Sequence, residues 1–404
     1  MSLLLSLVAS AALTPSAPLP AQDESESTSW TVFAEKVYDP EDGLIENGLI
    51  KVQDGRIVSI TPGARPPGDA LRAFAITPGL IDASVRVTRG GSAVEQSSEV
   101  TPSVRVADAL DTFSTSWERQ VKSGVTTALV SPPDQNVIGG LGIVVKTGGP
   151  DSVAERTVKA DAVMRGSMGT QPSQRNRPAS GAPSSFYNRR PTTRMGVEWE
   201  WRKAMYDAAA DPSASAPELT AVLGGDLPLM VQAWATQDIR TAVFLKEECE
   251  REGLGSPRLI IDAAAEAWRE PELLVRTGTA VVLPPFDADG RTGDNAFMAW
   301  NTARLLHDAG ITFALSAHGG SHERQLGLQA GYAMRGGLSF EASLQAVTLN
   351  PARMLGIDDR VGSLDVGKDA DIVLWSGEPF QPTSRVVGVL LSGALAVDPR
   401  PSNN

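Results

Sequence analysis

The sequence predicts an α/β fold: a TIM-like (β/α)8 barrel joined to a small composite β-sandwich built from both terminal segments. Three observations lead there. Between residues 76 and 357, short apolar runs of strand length alternate with amphipathic stretches of helix length, the pattern of βα units on a parallel sheet. Eight such runs stand out, at Leu80–Val87, Val125–Val130, Ile143–Thr147, Ala160–Arg165, Leu229–Ala233, Leu259–Ala263, Ala280–Leu283 and Thr312–Leu315, and eight is the number that closes a barrel. On either side of this region the pattern changes to short alternating runs divided by turn dipeptides, which is antiparallel sheet.

Taken in order, residues 1–21 hold an apolar stretch from Leu3 to Leu13 and end on the small residue Ala21, the composition of a secretory signal peptide rather than a membrane span. This predicts an exported, periplasmic protein. Residues 22–29 are polar and read as a linker. Residues 30–75 form the amino-terminal part of the sandwich, with Asn47-Gly48 and Asp54-Gly55 supplying the positive φ angles of tight hairpins. Residues 76–357 form the barrel, with outer helices at Asp108–Val121, Thr236–Glu252 and Ala296–Ala309. Residues 358–398 return to complete the sandwich, because so few strands cannot stand alone, and residues 399–404 are a tail.

Composition narrows the function classes. With 404 residues and 42% hydrophobic content the chain can bury a large core. Its 36 basic and 48 acidic residues give a net charge of −12, which argues against nucleic-acid or anionic-membrane partners, since both need an excess of Lys and Arg. One cysteine, Cys249, excludes an intrachain disulfide and any thiolate metal cluster. Its setting, Lys246-Glu-Glu-Cys-Glu-Arg251, reads as a helix surface.

The run Pro78-Gly-Leu-Ile-Asp-Ala83, together with Thr348-Leu-Asn-Pro-Ala-Arg-Met-Leu-Gly-Ile357, Arg360-Val-Gly-Ser-Leu364 and Gly367-Lys-Asp-Ala-Asp-Ile-Val373, resembles the amidohydrolase superfamily. Asn136-Val-Ile-Gly-Gly-Leu-Gly-Ile-Val-Val-Lys146 and Thr193-Arg-Met-Gly196 resemble its imidazolonepropionase-like branch. The resemblance implies hydrolysis of non-peptide C–N bonds, as in cyclic amides, or of dipeptides. One or two divalent metals would sit at the carboxyl ends of the barrel strands, activating water, with an Asp of the last strand taking the proton.

Carried over position by position, that machinery is replaced. The His-x-His pair of the first strand falls on Ser84 and Arg86, the lysine of the fourth strand on Arg165, the fifth-strand histidines on Gln232 and Trp234, and the catalytic Asp on His318 or its neighbour Ala317. Only His307, His318 and His322 exist in the whole chain, so no shift of register restores a site of three or four histidines. The fallback ligands for zinc or another divalent metal are Asp262, Glu266 and His318, with Asp82 nearby. The expectation is a homologue without metal-dependent hydrolysis and without a cofactor, acting through Arg86, Arg165, His318 and His322 on a small, anionic ligand, or as a partner subunit in a homo-oligomer or beside an active amidohydrolase. The alternative is an active hydrolase with an unusual metal site.

Three other motifs carry weaker readings. Gly166-Ser-Met-Gly169 resembles a nucleophile elbow with Arg165 at its first glycine place. Gly139-Gly-Leu-Gly142 imitates a phosphate loop but fits a glycine-rich hairpin better. The arginines at 175, 177, 189, 190 and 194 form a basic island, either a solvated loop or a lid for anions.

Overall fold

The two ends of the chain form one sheet. In the computed structural model, which describes residues 29–86, 93–95, 97–174, 190–286, 297–319 and 325–400, the amino-terminal strands are β1 (Ser29–Asp39), β2 (Gly43–Gln53), β3 (Arg56–Thr61) and β4 (Leu71–Pro78). The carboxyl-terminal strands of the same sheet are β13 (Ile372–Trp375), β14 (Val386–Leu391) and β15 (Ala394–Val397). They join as a continuous seven-stranded sheet in the order β15-β14-β13-β4-β1-β2-β3, so hydrogen bonding delimits one sheet and not the two layers of a sandwich. Residues 1–28, which include the expected signal peptide, and residues 401–404 lie outside the described residues. No helix among the described residues is long and apolar enough to cross a membrane.

One expected turn moves. Asn47 does take a positive φ of 49°, but it lies inside β2 opposite Glu35, in unbroken register between the pairs Ala34↔Gly48 and Lys36↔Glu46. The hairpin turn comes earlier. There the Asp39 carboxylate accepts from the N–H groups of Glu41 and Asp42, and Gly43 supplies φ 83°. Asp54-Gly55 forms the expected tight turn between β2 and β3.

The barrel strands are β5 (Leu80–Arg86), β6 (Val125–Ser131), β7 (Ile138–Lys146), β8 (Thr157–Ser167), β9 (Leu229–Gln232), β10 (Leu259–Asp262), β11 (Ala280–Leu283) and β12 (Phe313–Leu315), arranged in chain order as an eight-stranded sheet. Their number and places match the sequence reading to within a few residues, but their directions do not. β7 runs antiparallel to both β6 and β8, so the sheet is not a strict (β/α)8 array. The reason is connection length: residues 132–137 join β6 to β7, and a parallel crossover needs a dozen or more residues. The outer helices are also shorter than their patterns. The first is Thr115–Lys122, started by Ser114, whose hydroxyl accepts from Ser116 N–H; the last of the three is Thr302–Asp308. Thr236–Arg251 forms as expected. A 17-residue helix, Arg194–Ala210, is absent from the sequence reading, because its apolar and charged residues are spread around the helix rather than set on one face; Thr193 caps it by accepting from Gly196 N–H at 3.1 Å.

Two devices fix the barrel. Gly79 links β4 to β5 where its N–H donates to Asp371 O at 2.8 Å, and a Cβ there would lie 2.0 Å from Thr126 Oγ1, so only glycine permits the approach. At the amino end of the barrel the helix Leu349–Leu355 packs Ala352, Met354 and Leu355 against Ile81, Leu129, Val144, Met230 and Ile260. Asn350 Nδ2 donates to Phe313 O at 2.9 Å and Lys159 Nζ to Leu355 O at 2.8 Å.

Candidate functional site

β12 and β5 are the two edges of the barrel sheet and share no ladder. Side chains close the seam instead. The Asp82 carboxylate accepts from Ser316 Oγ at 2.6 Å, from Gly319 N at 3.1 Å, from Ser84 N at 3.2 Å and from Ala317 N at 3.3 Å. Burial pushes the Asp82 carboxyl above its ordinary range, and these donors work against that shift. Asp82 is therefore held as a seam staple and does not reach out as a metal ligand.

Across the lumen lies a second, charged network. Arg165 on β8 is buried, with its Nε 2.9 Å from Asp134 Oδ1, and its Nη2 2.5 Å from both Asp134 Oδ1 and Asp262 Oδ2. Ser84 Oγ on β5 donates to the same Asp262 Oδ2 at 2.9 Å. β5, β8 and β10 are not neighbours in the sheet, so these bonds span the interior. Burial disfavours the guanidinium charge, but Asp134 and Asp262 hold Arg165 protonated above even its ordinary value. The expectation of an arginine free to meet an anion is corrected here: two aspartates already oppose its charge.

Around this network, Gln232 Oε1 accepts from Ser167 Oγ at 2.8 Å. Trp234 meets the His318 ring edge-on, with centroids 6.3 Å apart. His318 has φ 52° and donates its backbone N–H to Ser316 Oγ at 2.9 Å. Three donors, Arg165 Nη1, Gln232 Nε2 and Trp234 Nε1, are buried with no acceptor among the described residues. Arg86 ends β5 with its backbone opposite Ser131; its side chain and all of His322 lie outside the described residues. His307 is on the exposed face of its helix.

The described residues do not fit a catalytic metal. Glu266, a fallback ligand, turns away from Asp262: its Oε2 accepts from Thr236 N and Oγ1 at 2.8 and 2.7 Å, and its Oε1 from Phe297 N at 3.2 Å. Burial pushes this carboxyl up, but the Thr236 and Phe297 donors outweigh it and hold it below the usual range. Among the described residues no group of three or more His, Cys, Asp or Glu is placed to hold a metal ion. A divalent ion sharing Asp262 with Arg165 would stand about 4 Å from a guanidinium, a repulsion of about 8 kcal/mol at an effective dielectric constant near 20.

The remaining motifs resolve into structure. Gly166 is inside β8, where a Cβ would lie 2.2 Å from the Trp201 ring, and Ser167 is bonded to Gln232, so there is no nucleophile elbow. Gly139–Gly142 are within β7. Of the basic island, Arg194 pairs with Asp238 at 3.1 Å and Arg190 is exposed; 175–189 lie outside the described residues. Cys249 faces inward at 1% exposure, contrary to the surface reading. The residue that sequence reasoning missed is Asp134, whose one signal is an acid in the loop that leaves a barrel strand.

Comparison with known proteins agrees with this geometry. The sequence profile of the Amidohydrolase family matches residues 299–396. The amidohydrolase tasK of Hapsidospora irregularis is 26% identical over 88% of the chain, which spans 40% of that relative's length. An imidazolonepropionase of Shewanella frigidimarina is 58% identical over 38 residues, 9% of each chain. The crystal structure of an amidohydrolase from Thermotoga maritima superimposes with a TM-score of 0.75 at 24% identity, covering 90% of this chain and 99% of that one. Profile, relatives and barrel point the same way: the chain resembles the amidohydrolase family in sequence, most clearly over residues 299–396, and shares the fold of a solved amidohydrolase over most of its length.

Proposed function

We propose that this chain is a degenerate amidohydrolase-type barrel that binds a small molecule without metal-dependent hydrolysis. One observation carries the reading: the guanidinium of Arg165 stands between Asp134 and Asp262 at 2.5–2.9 Å, as the cation of the lumen. An arginine cannot activate water as a Lewis acid, and it repels an ion that could. What the lumen does offer is donors. Arg165 Nη1, Gln232 Nε2 and Trp234 Nε1 ask for acceptor oxygens, so the ligand is a molecule rich in carbonyl, hydroxyl or carboxylate oxygen. Arg165 does not by itself select an anion, because Asp134 and Asp262 oppose its charge.

Elemental analysis of the purified protein, dialysed with and without zinc or manganese, tests the proposal. Protein that stays folded with far less than one metal per chain, and that leaves cyclic amides and dipeptides intact, supports it. About one tightly held metal per chain, removed by Asp262→Asn or His318→Ala, overturns it in favour of an active hydrolase with an unusual site.

A further inference from the structure

The outer helices of a barrel bury one stripe and turn a polar face to solvent. Two neighbouring helices here depart from that rule. Helix Arg194–Ala210 buries Val197, Trp201, Met205 and Ala208, and helix Thr236–Arg251 buries Ile239, Val243, Leu245 and Cys249. Their outward sides nonetheless carry Met195, Trp199 and Tyr206 on the first helix and Phe244 on the second, exposed by 77%, 52%, 39% and 49%.

Two ion pairs place these side chains together. Arg194 Nε meets Asp238 Oδ1 at 3.1 Å near the start of both helices, and Arg202 Nη2 meets Glu248 Oε2 at 2.9 Å farther along. The helices therefore run side by side in the same direction. Trp199 and Phe244 each lie a little past halfway between the two pairs, at the same level. Met195 is one turn before Trp199 on the same side of its helix. Tyr206 Oη donates to Glu248 Oε1 at 3.1 Å, and Glu248 is one turn beyond Phe244, so the tyrosine borders the same patch. The charges beside it are matched within the chain: Asp238 by Arg194, and Glu198 and Glu248 by Arg202.

Large side chains of this kind cover about 150–250 Å2 each, so at these exposures the four leave roughly 450 Å2 of largely apolar surface open. That is more than half of the about 800 Å2 per partner in a standard interface. Aromatic residues and Met beside a paired Arg are also the composition of an interface core. Charge narrows the occupant further. Two copies of a chain at −12 repel one another, and contact between them costs least where the surface has its charges already compensated. This patch meets that condition, and a patch of apolar side chains among compensated charges can face itself across a two-fold axis.

We propose that this face is the contact between two copies of the chain in a two-fold dimer, with Trp199 and Phe244 as its anchors. It lies on the outside of the barrel and does not depend on how the lumen is used.

Sedimentation velocity of the full-length protein between about 1 and 100 μM tests it. A species of twice the chain mass is expected. W199E and F244E, each verified as folded by circular dichroism, should each raise its dissociation constant about tenfold or more. V366E, at a valine 64% exposed in the connection before β13, should leave it unchanged. On the unmodified protein, hydroxyl-radical oxidation of Met195 and Trp199 should fall as concentration rises over the same range. A protein that is monomeric at about 100 μM overturns the proposal and leaves the face to a different chain. It is equally overturned if the larger species survives both W199E and F244E, if V366E disrupts it as strongly, or if oxidation of Met195 and Trp199 is independent of concentration.

Discussion

Replacing Arg165 by methionine removes the charge while keeping most of the volume, and it leaves Asp134 and Asp262 facing one another in a buried site. Breaking a buried pair from one side costs about 3–5 kcal/mol, because the abandoned carboxylates lose their compensation. For a chain of 404 residues, an unfolding entropy of about 2.1 cal/mol/K per residue turns that into a fall in Tm of roughly 4–6 °C. Urea unfolding followed by tryptophan fluorescence gives the free energy, and calorimetry the Tm. The double variant Arg165→Met with Asp262→Asn should recover part of the loss, since one of the two stranded carboxylates becomes neutral. Arg165→Lys should recover less than the native pairing provides, because an ammonium cannot span Asp134 and Asp262 with the fork that now bonds both. A loss below about 1 kcal/mol for Arg165→Met, the scale of an exposed ion pair, would refute the argument that Arg165 is the built-in cation of the lumen.

Other consequences are open to measurement. Lys146→Met strands Asp371, now 2.7 Å from the ammonium, while Asp369 keeps Arg360 and Arg56. It should cost about 3–5 kcal/mol and raise amide exchange in β13 ahead of the barrel strands. Asp369, pushed up by burial but held lower still by Lys146, Arg360 and Arg56, has a folded pKa below its unfolded one. Its stabilisation is therefore present above the unfolded value of about 3.9 and lost as pH falls through the folded one, and Asp369→Asn should flatten that acid limb in urea titrations between pH 2 and 5. Glu266→Gln should remove about 1 kcal/mol by weakening the bonds to Thr236 and Phe297, read as a lower urea midpoint with unchanged slope. Burial, with Glu248 and Glu250 alongside, pushes the Cys249 thiol up to about 11. A disulfide reagent at pH 8 should leave it untouched in the folded protein and titrate one thiol per chain in urea.

The fold was legible wherever burial writes a period into the sequence. Leu259–Asp262 and Ala280–Leu283 are apolar runs between helical stretches, and they become strands where the pattern puts them. Direction was not legible: β7 is buried along its whole length, and a strand covered on both faces shows the same apolar run whichever way it points. The site divides in the same manner. Ser84, Arg165 and Gln232 could be placed through the resemblance, and they do converge on the lumen. Asp134 follows Pro132-Pro133 in an irregular loop with no period to betray it. Glu266 read as a ligand because spacing puts a carboxylate near the strand end, while its capping of the Thr236–Arg251 helix depends on a chain segment 30 residues earlier.

The residues that carry the family resemblance are chiefly fasteners. Asp369 and Asp371 of the Gly367–Val373 run bind Lys146 at the end of β7, and Asp369 also meets Arg360 and Arg56 at 2.9 Å each. They tie the terminal sheet to the barrel from outside the lumen. Asn350 and the helix that carries it close the amino end of the barrel, and Gly79 lets β4 turn into β5 against Asp371 and Thr126. None of these groups touches Arg165, Asp134 or Asp262. A change of ligands at the carboxyl ends of the strands therefore loads none of the fasteners, and the architecture persists under a different lumen. The lumen itself is not free in the same way. Asp262 already serves Ser84 and Arg165 together, so this buried carboxylate needs a cation beside it to offset its charge. The long, planar side chain of Arg165 supplies one from the fourth-strand position, bonded on both sides, with Nη1 left without an acceptor among the described residues.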